Sequence, residues 1–310
     1  MMEKVKKRHH LVFQRYLANW TTNGRLFCLR NRKSIVQSGT RAIAQQKYFY
    51  RIPELSREDV MSIALLTESM SEQAKGVTKS LMDLFMIPFD YRNYVDLTAQ
   101  NNEKTEMIFT RQTTNVVENY HCKWEGEGAN FISRIEKNDL SFWDDVKECQ
   151  KFCYFLAIQY FRTDGIKSVM VKDFEKRAGL NLKKGVLHLP NLERVWWFMS
   201  LVFPVSTGEH LSNNHHLRVL VNDTETPFIT SDQPAINLKM QVDDLLPDEL
   251  EMYYPISQNI AVIVAPSERH FFTSEPIRRE MVSSLNDSIV NLSYNEVYSN
   301  NKSVLEAYLT

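Results

Sequence analysis

The pattern of hydrophobic and polar positions changes its period along the chain. Residues 25–31 (RLFCLRN) and 35–50 carry β-branched and aromatic residues on either side of a polar NRKS turn. This pattern predicts a small hairpin or an irregular β-meander. From Ser56 onward the apolar residues recur at helical spacing, and Asp59 stands at the acidic third position of a capping box. Pro88 is predicted to end that helix.

The helical period continues through the middle of the chain. Residues 103–137 and 141–162 each predict a helix, with Ser141 as the candidate N-cap of the second. The second helix is apolar almost all round, which is typical of a helix at the centre of a bundle. A polar, lysine-rich stretch at 163–190 then precedes another aromatic helix at 191–204.

The last third of the chain returns to strand patterns. HHLRVLVND and PFITSDQPAINL predict two strands joined by the turn DTETP, and YYPISQNIAVIVAP predicts a third. The predicted fold is a single α+β domain over 1–310, in which strands from both ends meet beside a central helical core. Its segments are β-rich at 1–52, helical at 56–205, β-rich at 212–266 and helical at 276–310, with 276–292 the clearest helix there.

Composition narrows the classes of protein. The 310 residues are 43% hydrophobic and 24% charged, and 37 basic against 38 acidic residues leave a formal charge of −1. Contact with a nucleic acid would therefore need a local basic patch, for which KVKKRHH is the candidate. The longest apolar stretch, 195–205, is too short to span a membrane, so we expect no membrane partner and a cytoplasmic location.

Familiar catalytic and metal-binding motifs are missing from the sequence. It contains no P-loop, GxGxxG, GxSxG or HExxH motif, so the common nucleotide-binding, hydrolase and zincin interpretations do not apply. The four cysteines include no CxxC pair, and we expect reduced, mostly buried thiols.

Six short motifs are spread over nearly the whole chain: RHHLVFQRYLANW, VVENYHCKWE, QYFRT, FITSDQPAINL, YYPIS and LNDSIVNLSYNEVYS. Together they resemble a bacterial family, the domain of unknown function 4238. Its opening motif is HHxVPxxYLxxF, and this chain departs from it by placing Phe13 where the family commonly has proline. The resemblance implies a shared fold and shared polar positions, and it implies no particular chemistry.

The adjacent His9 and His10 are the first candidate site residues. On a helical turn their side chains would point about 100° apart, so one could bind a ligand or act as a base while the other packs. Alternatively, both are structural and hydrogen-bond backbone carbonyls where the N-terminal segment docks. A third alternative is that KVKKRHH contacts a nucleic acid.

Glu118 and Glu125 lie two helical turns apart, which places them on one face about 10 Å apart along the axis. They could be ligands or catalytic groups beside the close backbone approach that the following GEG allows. Alternatively, they are solvated or paired with Lys123 and Arg134.

Gln159 and Arg162 share a face of an otherwise apolar helix. A buried arginine needs a partner, for which the acids Glu118, Glu125 and Asp232 are candidates. The cluster could be a structural ion-pair network, or Arg162 with Gln159 could bind a phosphate or carboxylate. Asp232, at a strand end before a proline, could be a metal ligand or base, or could simply form an Asx turn.

Two main hypotheses of function follow. In the first, the protein is a metal-dependent phosphodiesterase or nuclease, in a phage-defence or toxin setting, that acts on a nucleic acid or nucleotide with Mg²⁺ or Mn²⁺. Its catalytic residues would be His10, Glu125, Arg162 and Asp232. Its metal ligands would come from His9, His10, Glu118, Glu125 and Asp232, and its substrate contacts from Gln159 and Arg162.

In the second hypothesis the protein is a non-catalytic module that binds a ligand or a partner, and the polar cluster is a buried scaffold. A third and weaker hypothesis is nucleic-acid binding without catalysis through KVKKRHH, which offers only a few phosphate contacts.

Overall fold

The computed structural model describes residues 4–182, 191–240, 247–266 and 277–310, which form helices and small antiparallel sheets and so confirm the α+β prediction. The helices are α1 (Gln14–Ala18), α2 (Arg57–Thr67), α3 (Glu72–Leu97), α4 (Glu103–Glu136), α5 (Val146–Phe161), α6 (Asp164–Leu182), α7 (Leu192–Asn214), α8 (Arg279–Leu292) and α9 (Lys302–Glu306). The strands are β1 (Arg8–His10), β2 (Leu26–Arg30), β3 (Ser34–Ser38), β4 (Gln45–Lys47), β5 (His215–Val221), β6 (Thr230–Ser231), β7 (Ile236–Asn237), β8 (Met252–Pro255), β9 (Ile260–Pro266) and β10 (Glu296–Ser299).

One sheet joins the two ends of the chain. The predicted hairpin is β2 and β3, and the other edge of β2 pairs with β10, giving the order β3-β2-β10-β6. Val297 lies opposite Leu29, and both side chains are buried. The predicted meeting of N- and C-terminal strands is observed. The prediction that the C-terminal segment is all helical is wrong, because β10 follows α8 and completes this sheet.

A second sheet has the order β5-β9-β8-β7. The segment YYPISQNIAVIVAP forms two strands, β8 and β9, instead of the predicted one. A turn separates them, in which the N–H groups of Ile256 and Ser257 donate to the carbonyl of Ile260. β5 pairs along its whole length with β9. PFITSDQPAINL does not pair with β5 as expected but contributes β6 to the first sheet and β7 to the second.

Helix α5 lies at the centre of the helical core, as its apolar sequence predicted. Its residues from Phe152 to Phe161 are all buried except Tyr154. On one side, a Cβ atom at Gly128 of α4 would lie 2.0 Å from the ring of Phe155. On the other, a Cβ atom at Gly208 of α7 would lie 2.9 Å from the backbone of Tyr154. Glycine therefore allows two helices to approach α5 closely.

Several predicted helix boundaries are corrected. The capping box at Ser56 is present, but its helix ends at Thr67, and a new helix begins after the N-cap Ser71. Pro88 does not end that helix, since α3 continues to Leu97 while Phe85 and Phe89 pack into the core. Tertiary contacts offset the one helical hydrogen bond that proline removes.

Two other helices differ from their predictions. α5 begins after Asp145, whose carboxylate caps two backbone N–H groups, while Ser141 lies in a preceding 3-10 turn. The aromatic helix α7 runs ten residues further than predicted, to Asn214. The polar stretch 163–190 contains α6, and its residues 183–190 lie outside the described part of the chain.

The described helices range in length from 5 to 34 residues. None of them combines the length and the apolar composition needed to cross a membrane.

Candidate functional site

Helix α4 directs three titratable side chains toward α5 and the N-terminal segment. Glu118, His121 and Glu125 follow one another at spacings of three and four residues, which place them on one helical face. Glu118 and His121 are buried, and the Glu125 side chain is 20% exposed. The sequence correctly indicated that the two glutamates share a face. His121 was missed, although its position between them carries the same helical signal.

Arg162 lies at the centre of this group, directly after the last residue of α5, and its side chain is completely buried. Its Nη1 donates to Oε1 of Glu125 at 2.8 Å and its Nε donates to the hydroxyl of Tyr50 at 3.1 Å. Its Nη2 donates to the backbone carbonyl of His10. Of the three candidate acids, Glu125 is the one that forms the ion pair.

The electrostatic surroundings hold Arg162 in its charged form. Burial alone would lower the pKa of the guanidinium, but Tyr50, Glu125 and Glu118 together raise the pKa above its ordinary value. Tyr50 was not predicted, because an aromatic residue at the end of a strand-like run gives no local signal for a polar role. We call Glu118, His121, Glu125, Arg162 and Tyr50 the arginine cluster.

The two histidines lie on strand β1 and not on a helical turn, so their side chains point to opposite faces. His9 is completely buried, its Nδ1 accepts the backbone N–H of Tyr50 at 2.8 Å, and its Nε2 donates to the carbonyl of Lys6 at 2.9 Å. This arrangement requires the neutral ring, and burial lowers the pKa of His9 accordingly. His9 therefore anchors the N-terminal segment.

His10 is half-buried beside the cluster. Its Nε2 lies 2.9 Å from Nε2 of Gln14, and its backbone carbonyl accepts from Arg162. Burial lowers the pKa of His10, while the charge of Glu125 raises it and that of Arg162 lowers it. The structure thus brings His10, Glu118, Glu125 and Arg162 together as predicted.

Glu118 titrates near neutrality. Burial is the largest cause that raises the pKa of its carboxyl, to about 7, with the charge of Arg162 lowering it and that of Glu125 raising it. Its Oε2 has no hydrogen-bond partner among the described residues. Glu118 pairs with neither predicted cation, since Arg134 binds Asp139 and Glu148 instead.

Two fully buried polar side chains, His121 and Gln159, have unsatisfied polar atoms. Within the described part of the chain, neither ring nitrogen of His121 and neither amide atom of Gln159 has a hydrogen-bond partner. Burial lowers the pKa of His121 well below its ordinary value, with Arg162 and His9 adding to the effect, so the ring is neutral. Gln159 shares the helix of Arg162 as predicted but does not reach the surface.

Asp232 has a separate set of partners. Its carboxylate accepts the backbone N–H groups of Tyr294, Asn295 and Glu296 at 2.7–3.0 Å. Burial raises the pKa of Asp232 to about 6, which those three amides oppose. Together with Asp164 and Glu296 it lines a cavity of about 380 Å³, whose lining includes no residue of the arginine cluster. The expected convergence of Asp232 on Arg162 is therefore not observed, because strand β6 ties Asp232 to β10.

The predicted metal ligands do not form a recognisable metal centre. Among the residues that the structure describes, no three His, Cys, Asp or Glu side chains are grouped so as to hold an ion. Both ring nitrogens of His9 are already engaged in hydrogen bonds. Binding of Mg²⁺ or Mn²⁺ stays a prediction.

The fold and the site define a class, an α+β protein whose helical core encloses an arginine-centred polar cluster and whose two chain ends share a sheet. The chain belongs to the family described as protein of unknown function DUF4238, whose family model matches residues 8–191 and 206–303. This match confirms the resemblance carried by the motifs and includes the whole arginine cluster. No curated protein and no solved structure matches the chain.

Proposed function

We propose that this protein is a non-catalytic module that binds a ligand or a partner, and that the arginine cluster stabilises its fold. The observation that carries the proposal is the enclosure of Arg162, whose guanidinium is fully buried and donates to Glu125, Tyr50 and the His10 carbonyl. Three acceptors from three separate segments of the chain therefore already bind the guanidinium. A substrate phosphate would have to displace them and open the core.

The cluster also has a structural task that accounts for its residues. The bond from Arg162 to the His10 carbonyl attaches the N-terminal segment to the end of α5, and the bond from the Tyr50 N–H to His9 attaches it to the segment that precedes α2. In the sequence, Tyr50 lies 112 positions and His10 lies 152 positions from Arg162. Removal of one partner leaves a buried charge uncompensated, which typically costs about 3–5 kcal/mol.

Thermal unfolding tests the proposal. We expect Arg162→Ala and Glu125→Ala each to lower the Tm by on the order of 10 °C. We expect Mg²⁺ and Mn²⁺ to leave the Tm of the parent protein unchanged, since a ligand that binds the folded state would raise it. Lys151→Ala, on the exposed face of α5, is the control and should melt with the parent. The proposal fails if both cluster variants melt with the parent, or if a metal stabilises the parent but not Glu125→Ala.

A metal-dependent phosphodiesterase or nuclease, in a phage-defence or toxin setting, is the second candidate. One observation favours it: Glu118, with a pKa of about 7, lies beside the charge of Arg162, and such a carboxyl is suited to proton transfer at neutral pH. The test is cleavage of DNA and RNA with Mg²⁺ or Mn²⁺ by the parent, Glu118→Gln and Asp232→Ala. Cleavage that is lost in Glu118→Gln supports this candidate, and no cleavage with either metal rejects it.

A further inference from the structure

A cleft separate from the arginine cluster lies between α6 and the turn from α8 to β10. Its volume is about 310 Å³, which is in the range of sites for small molecules. None of the site residues predicted from the sequence lines it. It is bounded by one face of α6, by the segment from Gln233 to Met240, and by residues 291–294.

The inner part of the cleft is apolar and held in a fixed shape. Ile166 and Ile236 are buried there, and Leu292 and Met240 are partly buried beside them. Gln233 forms a rigid wall, because its Nε2 donates to the carbonyls of Tyr160 and Ala235 and its Oε1 accepts from the hydroxyl of Thr163. Because this wall is already ordered before a ligand binds, less conformational entropy is lost on binding.

The entrance of the cleft combines an aromatic ring with positive charge. Tyr294 is 52% exposed and supplies a flat apolar surface. Lys172 and Lys176 are one helical turn apart on α6, both are exposed, and neither has an ion pair with any described residue. The lining also includes one carboxylate, that of Asp173. This side chain is buried and already interacts with another group of the protein.

We propose that this cleft binds a small anionic molecule with a flat apolar body. The body lies between Tyr294 and the apolar floor, and the anionic group, a carboxylate, sulfonate or phosphate, meets Lys172 and Lys176 at the entrance. A lysine ammonium recognises such groups as a point charge without a fixed geometry. This inference rests on the proposed binding function and adds to it the site and the class of ligand.

A matched pair of fluorescent probes tests the inference. 8-Anilinonaphthalene-1-sulfonate carries an anionic group on an aromatic body, and N-phenyl-1-naphthylamine has the same body without the charge. We expect both probes to bind saturably with one-to-one stoichiometry. The anionic probe should bind about fivefold more tightly, because two exposed lysine charges contribute roughly that much affinity. In Lys172→Gln/Lys176→Gln this preference should disappear while the affinity for the neutral probe stays the same.

Three further variants make the outcome decisive. Lys147→Gln/Lys151→Gln removes two exposed lysines of the same spacing from α5, outside the cleft, and should bind both probes as the parent does. Tyr294→Ala should weaken both probes equally. No saturable binding, or the same affinities in the two double-lysine variants, overturns the inference. If the probes do not bind but Arg162→Ala is strongly destabilised, the ligand site in the cleft is rejected and the structural role of the arginine cluster stands. If the probes bind as expected but Arg162→Ala is as stable as the parent, the structural role of the cluster is rejected and the ligand site stands.

Discussion

The arginine cluster and the α6 cleft place charged groups in opposite settings. Arg162 is completely buried, and its partners come from the chain itself. Lys172 and Lys176 stand exposed at the edge of an open apolar space, without an ion pair to any residue that the structure describes. A charge whose partners are internal contributes to folding, while a charge left at the mouth of a cleft is available to a ligand.

Asp232 is a third case, a buried acid whose partners are backbone amides. It is buried, and its carboxylate is satisfied by three consecutive backbone N–H groups, from Tyr294 to Glu296. By contrast, one carboxylate oxygen of Glu118 has no hydrogen-bond partner in the part of the chain that the structure describes. Burial raises the pKa of both acids. Three backbone amides oppose that rise at Asp232, whereas the charge of Arg162 is the largest opposing effect at Glu118.

The largest expected effect comes from removing the central charge. Arg162→Met should cost about 3–5 kcal/mol in the free energy of unfolding, because it leaves Glu125 facing Glu118 without a cation. Adding Glu125→Gln should recover at least about 1 kcal/mol, since it removes one uncompensated charge. Urea unfolding of the two single variants and the double variant measures this coupling. Strictly additive costs would show that the pair is not coupled and would contradict the assignment of Glu125 as the internal partner of Arg162.

Glu118→Gln should have an effect that depends on pH. The pKa of Glu118 in the folded state, about 7, is above its ordinary value of 4.5, so the folded protein holds a proton that the unfolded chain releases. Stability from this group is present below pH 4.5 and is lost as the pH rises through 7. Glutamine cannot ionise, so the variant should be more stable than the parent by about 2–3 kcal/mol at pH 8 and by less than about 1 kcal/mol at pH 5.

Urea unfolding at the two pH values measures this difference. Asp139→Asn is the matched control, because that acid is exposed and its pKa is lowered, first by the hydroxyl of Ser141. Its substitution should not stabilise the protein at pH 8. An equal gain for Glu118→Gln at pH 5 and pH 8 would show that its carboxyl does not titrate between them.

The smallest expected effects come from two glycines of α4. Gly128→Ala would place a Cβ atom 2.0 Å from the ring of Phe155 and should cost about 1–3 kcal/mol, since α4 has to move away from α5. Gly126→Ala meets nothing within 4 Å and should stabilise the helix by about 0.5–1 kcal/mol. Thermal unfolding should therefore give shifts of opposite sign. Shifts of the same sign would show that α4 and α5 are not in tight contact at Gly128.

Local signals in the sequence predicted much of the fold. The helix predicted at 103–137 is α4, the capping box at Ser56 is present, and the hairpin after residue 25 is β2 and β3. Each of these depends on neighbours within a few positions. The pairings β5 with β9 and β10 with β2 were not predicted, because their partners lie 39 to 272 positions apart and a strand pattern does not specify its partner.

For the site, the amino-acid sequence already indicated which side chains share a face. Helical spacing alone places Glu118 with Glu125 and Gln159 with Arg162. The pairing of Arg162 with Glu125 and not with Asp232, and the anchoring role of His9, became visible in the three-dimensional structure alone. The reason is that helical geometry is local, whereas the choice among distant partners, and the burial that shifts a pKa, arises when separate segments come together in the core.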